Sequence, residues 1–227
     1  MRQNRGVSFD RRAVFRDSLS VSIPVGTYGA AFGAASVAAG FSVAQTCALS
    51  LLLFSGASQF AVIGVMASGG SALSAIATGG LLGIRNGLYA LRMSPILKLS
   101  GFKRFLVAQV TIDESTGVAL SQENRGEAAM RLGFISTGIG VFFFWNFFTL
   151  VGALSANAIG NPSMWGLDAA VPAAFLGLLW PRLTNSKTKI AASLSAVIAL
   201  LLTPILPSGL PIICTVVIAL VIGWKSK

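Results

Sequence analysis

Histidine is absent from this chain, and cysteine occurs only at Cys47 and Cys214. The first absence removes the commonest proton shuttle and the commonest metal ligand. Both cysteines lie inside apolar runs far apart in sequence, so each reads as a free thiol and no structural metal site is expected. Acidic residues are also scarce: seven Asp and Glu stand against 17 Lys and Arg, for a net charge of +10. No Gly-x-x-x-x-Gly-Lys-Ser/Thr loop occurs, so the chain does not hydrolyse ATP by itself. No nucleophile–base pair is legible, and an enzyme is not expected. The basic residues sit at the ends of apolar runs, without aromatic interleaving outside them, which reads as membrane orientation and not as a nucleic-acid surface.

What is present is apolar length. Hydrophobic residues make up 54% of the 227 residues and charged ones 11%, with a mean hydropathy of +0.78. That composition is far from the soluble average. A hydrocarbon core of about 30 Å needs roughly 20 apolar residues per helix, so the whole of residues 1–227 reads as a single integral membrane domain. The expected fold is all-α, a polytopic transmembrane helical bundle of about 7–8 membrane segments with at least one broken or re-entrant helix. The segments are Ser18 to Gly40, Val43 to Met66, Ala72 to Leu97, Phe105 to Leu120, Leu132 to Leu154, Leu167 to Trp180, Ile190 to Ile205 and Leu210 to Trp224. Arg11-Arg12 ahead of an apolar stretch has the form of an export signal, but the remaining chain is itself membrane-spanning. Residues 1–17 therefore read as a basic cytoplasmic tail.

From Leu132 onward, basic and uncharged connections alternate as the positive-inside rule requires, ending on Lys225 and Lys227. The first half fits less well, because eight full crossings place Lys98, Lys103 and Arg104 outside. Either the rule is broken once, or one early segment is re-entrant and Phe105 to Leu120 lies in the interface. The preferred reading is eight helical segments with both termini cytoplasmic. Trp165, Trp180 and Trp224 fall at segment ends, where an aromatic belt would sit.

Within the run Val43 to Met66 stands Ser55-Gly56-Ala57-Ser58-Gln59. Small and hydrogen-bonding residues loosen a helix in lipid only where protein or a water-filled cavity takes up the freed backbone groups. Discontinuous helices of this kind build substrate sites near the membrane midplane. The other reading is a straight helix in which Gly56 and Ser58 pack on a neighbour and Gln59 makes one interhelical bond. Ser71, Ala75, Gly79, Gly83 and Gly87 recur every four residues, and Gly29 and Gly33 repeat that spacing. These stripes read as tight helix packing, with the segment Ala72 to Leu97 central to the bundle. Asn146, within a run of phenylalanines, reads as interhelical glue, and Asp168 as a helix cap.

Arg85, Tyr89 and Arg92 share one face of the third segment. A charge near the bilayer centre costs about 2.5–3.5 kcal/mol on insertion scales and is usually paired or functional. Arg85 lies midway along its segment, while Arg92 is near enough to the end to snorkel. The natural counter-charge is Asp113-Glu114, flanked by apolar residues on both sides. One carboxyl can pair with an arginine while the other carries a proton; a solvated cytoplasmic turn is the competing reading. A zwitterionic amino acid needs a cation or helix N-terminus for its carboxylate, an acceptor for its ammonium and an apolar pocket for its side chain. Arg85 or the backbone at Gly56 meets the first need, Gln59 or an acid the second. A channel or a non-transporting scaffold remains open beside a transporter, although no repeated polar ring argues for a channel.

Several stretches together resemble the AzlC family of branched-chain amino-acid permeases: Phe54-Ser55-Gly56-Ala57-Ser58-Gln59-Phe60, Leu81 to Tyr89 followed by Ser94-Pro95, Asp113-Glu114-Ser115, and Gly166-Leu167-Asp168 running on to Pro172 and Phe175. They fall in order from about Ser18 to Trp180. Gly83 and Asn86 stand where the family usually reads asparagine and histidine, whereas Arg85 and Tyr89 match. The resemblance implies the large subunit of a two-component exporter in the bacterial inner membrane. Its cargo would be valine, leucine, isoleucine or a related small neutral amino acid, driven by the proton or membrane-potential gradient. It also implies a small four-helix AzlD-like partner subunit and no cofactor; a homo-oligomer stays possible. On this reading Ser55, Gly56, Ala57, Ser58, Gln59, Arg85, Asn86 and Tyr89 bind substrate, and Asp113 and Glu114 with Arg85 form the coupling pair.

Overall fold

A computed structural model describes residues 9–159, 183–218 and a few isolated positions beyond them. Among these residues every regular element is helical. The helices are α1 (Arg11–Ala38), α2 (Val43–Leu52), α3 (Gly56–Ala67), α4 (Ala72–Leu97), α5 (Gly101–Gln109), α6 (Asp113–Ser121), α7 (Glu127–Ile159), α8 (Ser186–Leu202) and α9 (Leu210–Cys214). Asp168, Trp165, Trp224 and most of the segment Leu167 to Trp180 lie outside the described residues. Two helices, Arg11–Ala38 and Glu127–Ala158, are both long and apolar enough to cross a membrane. Leu19, Leu91 and Phe147 are among the large apolar side chains left exposed on the long helices, as a lipid-facing surface would be.

The first helix begins earlier than hydropathy places it. The Asp10 carboxylate accepts from the Arg12 N–H at 2.8 Å and caps the first turn. Arg11, Arg12 and Arg16 are therefore helical, and the basic tail ends before residue 11.

Among the described residues α1 and α7 make the most extensive contact, and they run parallel, since Ser18 meets Ser136 and Gly33 meets Thr149. Ser18 and Ser136 share a hydroxyl hydrogen bond at 2.7 Å, and Ser22 donates to the Thr137 carbonyl at 3.3 Å. Higher up, a methyl group on Gly29 would strike the Trp145 carbonyl and one on Gly33 the Thr149 carbonyl. Gly26 on α1 and Gly152 on α7 meet their partners just as closely, against Phe144 and Ala30. Only hydrogen in place of Cβ lets the two backbones approach this far.

α4 runs the opposite way. At its C-terminus Lys98 pairs with Glu127 at 2.9 Å, and Arg131 donates to the Ile96 carbonyl at 2.7 Å. Both partners open α7, and nearby Arg125 pairs with Asp17 of α1 at 3.1 Å. So Lys98, Arg125 and Arg131 share one end of the bundle with the arginines of α1. The 26 residues of α4 span roughly 39 Å at about 1.5 Å each, which puts Ser71 at the far end, where α1 finishes. The pair α2–α3 consequently leaves and returns at that far end, and α5–α6 leaves and returns at the basic end. Two of the apolar segments, Val43 to Met66 and Phe105 to Leu120, are thus broken and turn back, where the sequence calls for at least one broken or re-entrant helix.

The alternative that laid Phe105 to Leu120 in the interface is corrected: the segment enters the bundle and is broken there. Phe105 to Leu120 is two short helices, α5 and α6, interrupted at Val110 to Ile112. The breaks meet in the middle of the bundle, where Gln109 donates its amide to the carbonyls of Leu51 at 2.8 Å and Leu52 at 3.3 Å. Phe54 and Ile112 join Phe32, Phe60 and Trp145 in one buried apolar cluster there.

Two packing expectations also change. α4 is not central among the described residues, since its buried side chains are confined to Ala75, Thr78, Gly79 and Met93. Its small-residue stripe packs only over the half alongside α3: a methyl at Gly79 would meet Val62 at 2.7 Å, one at Gly83 the Ser58 hydroxyl at an ordinary 3.6 Å, and one at Gly87 nothing. The reason is that α3 starts at mid-bundle and so covers only half of α4. Asn146 donates to the Phe142 carbonyl of its own helix at 2.8 Å, and so does not link helices through that amide.

Candidate functional site

The break between α2 and α3 has no proline; a glutamine holds it. Gln59 donates to the carbonyls of Leu53 at 2.7 Å and Ser50 at 3.3 Å, and its own carbonyl accepts from the Trp145 indole N–H at 2.9 Å. These are backbone groups that the end of α2 leaves without helical partners. Gly56 permits the close approach of Trp145, whose ring would lie 2.9 Å from any Cβ there. The break between α5 and α6 is closed in a related way. Ser115 donates to the Val110 carbonyl at 2.8 Å and accepts from the Ile112 N–H at 3.1 Å. Leu53 and Val110 hold corresponding places, each three residues before the second half-helix.

A cavity of about 520 Å³ opens where the breaks face each other. Ser55, Gly56 and Ala57 line it from the start of α3, Asp113 and Glu114 from the start of α6, and Arg85 from the middle of α4. Most of the remaining wall is apolar or aromatic, including Val25, Tyr28, Val141 and Trp145. Arg85 Nη1 lies 3.6 Å from Asp113 Oδ2, with the two side chains 28% and 22% exposed. The site thus has two carboxylates at one helix start, one arginine balancing them, and a second helix start that carries no acid.

The AzlC protein family matches residues 20–159. This chain belongs to the AzlC family. It is also similar to the inner membrane protein YgaZ of Escherichia coli (strain K12), at 30% identity over 173 residues, covering 72% of this chain and 69% of YgaZ. No solved structure matches it. The span that marks the chain as AzlC contains both broken helices, α4 and nearly all of the cavity wall.

The residues read as substrate-binding divide in this AzlC chain. Ser55, Gly56, Ala57 and Arg85 share the cavity, and Asp113 and Glu114 join them. Gln59 does not line it: the side chain is 0% exposed and its amide is spent on the break. Ser58 is fully buried and turned toward α4 at Gly83. Asn86 and Tyr89 are half-buried on α4 away from the cavity wall, because each is rotated or displaced along the helix from Arg85. Asn86 Oδ1 and Ser58 Oγ are buried without hydrogen-bond partners. Tyr28, Trp145 and Gln109 were missed. Nothing in their local pattern separates them from packing residues, and only the parallel course of α1 and α7 brings Tyr28 and Trp145 to one wall. Cys47 and Cys214 are both free thiols.

Proposed function

We propose that this AzlC-family chain is a multi-pass secondary transporter of the bacterial inner membrane that exports branched-chain or similar small neutral amino acids. The observation that carries the reading is the mid-bundle cavity between two helix breaks, charged on one side and apolar on the rest. Its volume of about 520 Å³ falls in the range of small-molecule sites, roughly 300–1,000 Å³. The apolar wall suits an aliphatic side chain, and the charged groups suit a zwitterion. Coupling to the proton or membrane-potential gradient would run through Asp113 and Glu114, the carboxyls on the cavity wall. No catalytic chemistry is assigned, and a small AzlD-like subunit is the proposed partner. The test is counterflow of labelled valine, leucine and methionine in vesicles holding the purified chain, with and without that subunit. Exchange of at least one of them, saturable and competed by the others, is expected; absence of exchange in both arrangements would overturn the reading.

Orientation follows from charge. The end shared by Arg11, Arg12, Arg16, Lys98, Arg125 and Arg131 is assigned to the cytoplasm. On this assignment α1, α4 and α7 cross, α2–α3 enters and returns from outside, α5–α6 does so from the cytoplasm, and the N-terminus is cytoplasmic; a cytoplasmic C-terminus, proposed from Lys225 and Lys227, takes an odd number of further crossings after α7. The arrangement restores the positive-inside rule at Lys98 to Arg104. In a background with Cys47 and Cys214 replaced by serine, Ser100→Cys should react with an impermeant maleimide only from the cytoplasmic side and Ser68→Cys only from outside. Labelling of both from one side would sink the turn-back topology.

A further inference from the structure

The two half-helix starts that face the cavity are alike in geometry and opposite in charge. We infer that they bind a zwitterion in one fixed polarity. Its carboxylate lies at the start of α3, on the Gly56 and Ala57 N–H groups and the Ser55 hydroxyl; its ammonium lies at Asp113 and Glu114, at the start of α6. The inference rests on the reading of this cavity as the substrate site.

α3 is a helix of twelve residues with no side-chain cap and no acid in its first turn. Its leading N–H groups have no helical acceptor, and the macrodipole puts about half a positive charge at that end. Ser55 provides the independent sign that something belongs there. It is a wall residue of the cavity, only 4% exposed, and its hydroxyl has no hydrogen-bond partner. A buried hydroxyl left unmatched is costly unless a ligand completes it. Gly56 and Ala57 add no bulk that would hold an anion off the backbone.

The start of α6 is the complement. Its first turn holds Asp113 and Glu114, whose carboxyls disfavour a second anion at that end. Two carboxyls face one guanidinium, that of Arg85 at 3.6 Å from Asp113. A ligand bearing both groups is drawn to both poles, whereas a plain acid or a plain amine satisfies one.

The experiment competes labelled valine counterflow with isobutylamine, which is valine without its carboxylate, and with isovalerate, which is valine without its ammonium. Ser55→Ala should weaken valine and isovalerate about tenfold, the scale of one hydrogen bond to a charged group, and leave isobutylamine unchanged. Ser55→Thr, which keeps the hydroxyl, should restore both. Glu114→Gln should weaken valine and isobutylamine and leave isovalerate unchanged. Equal effects of Ser55→Ala on both half-molecules, the reverse pattern, or no competition by either half-molecule against active valine counterflow would overturn the polarity while leaving transport itself standing. Failure of wild-type counterflow with every amino acid tried would overturn the transport reading and the polarity with it. Thermal melting of each purified variant separates lost binding from lost folding.

Discussion

Gln59→Ala is expected to lower the amount of folded protein in the membrane before any transport defect can be read. The substitution strips the partner from two buried groups, the Trp145 indole N–H and the Ser50 carbonyl, and takes one of two donors from the Leu53 carbonyl, which keeps the Ser55 N–H at 2.8 Å. Each buried polar group left unsatisfied costs about 1–3 kcal/mol, and no bulk water is at hand to replace the amide. The sum reaches several kcal/mol, a large share of the roughly 5–15 kcal/mol by which proteins are held folded. Trp145→Phe should cost less, because it removes one donor and strands only the Gln59 carbonyl. Membrane abundance and the melting temperature of the detergent-purified protein measure both. A Gln59→Ala protein as abundant and heat-stable as the parent would show that the α2–α3 break holds without its glutamine. The reading of Gln59 as a wall of the site predicts that opposite outcome: normal abundance with transport lost.

Neutralising either partner of the Arg85–Asp113 pair should abolish amino-acid exchange, and the single changes should be worse for folding than the double one. The two side chains are about three-quarters buried and 3.6 Å apart. Removing one member of a buried pair strands the other, at a cost of about 3–5 kcal/mol when burial is complete. Residual exposure makes the cost here smaller. Arg85→Gln and Asp113→Asn should therefore each lower the melting temperature, and Arg85→Gln with Asp113→Asn should recover most of that loss. Exchange should stay absent in the double variant, since the charge balance of the cavity is still lost. Strictly additive melting shifts, or a single variant exchanging valine at the parental rate, would remove the pair from the proposed site.

How much of this was legible from residues alone depends on the range of the interaction. The apolar segments could be read because lipid demands long runs of one character, and α4 falls on Ala72–Leu97 as hydropathy places it. The interruption in Val43 to Met66 could be read because Ser55, Gly56, Ala57 and Ser58 are weak helix holders grouped together. Economy of charge brought Arg85 and the Asp113-Glu114 pair into one argument, since few acids lie among apolar neighbours where an arginine could meet them.

The interruption at Val110 to Ile112 left no such mark. Valine, threonine and isoleucine are common in membrane helices, and the break there is held by Ser115 and by contact with the opposite tip. The direction of α4 was equally hidden. Hydropathy has no sign along the chain, so a crossing and a turn-back look alike until Lys98 is found beside Glu127 and Arg125 beside Asp17. The assignment of Gln59 failed for a related reason. An amide can serve a ligand or a backbone equally well, and which it serves is set by the carbonyls that the α2 terminus happens to leave open. Composition and local pattern thus determined that the chain is a helical bundle with apolar segments and a loosened helix. Which segments turn back, which polar groups face the cavity and which are spent holding the breaks were decided by contacts between residues distant in sequence, because those contacts alone set the direction and depth of each helix.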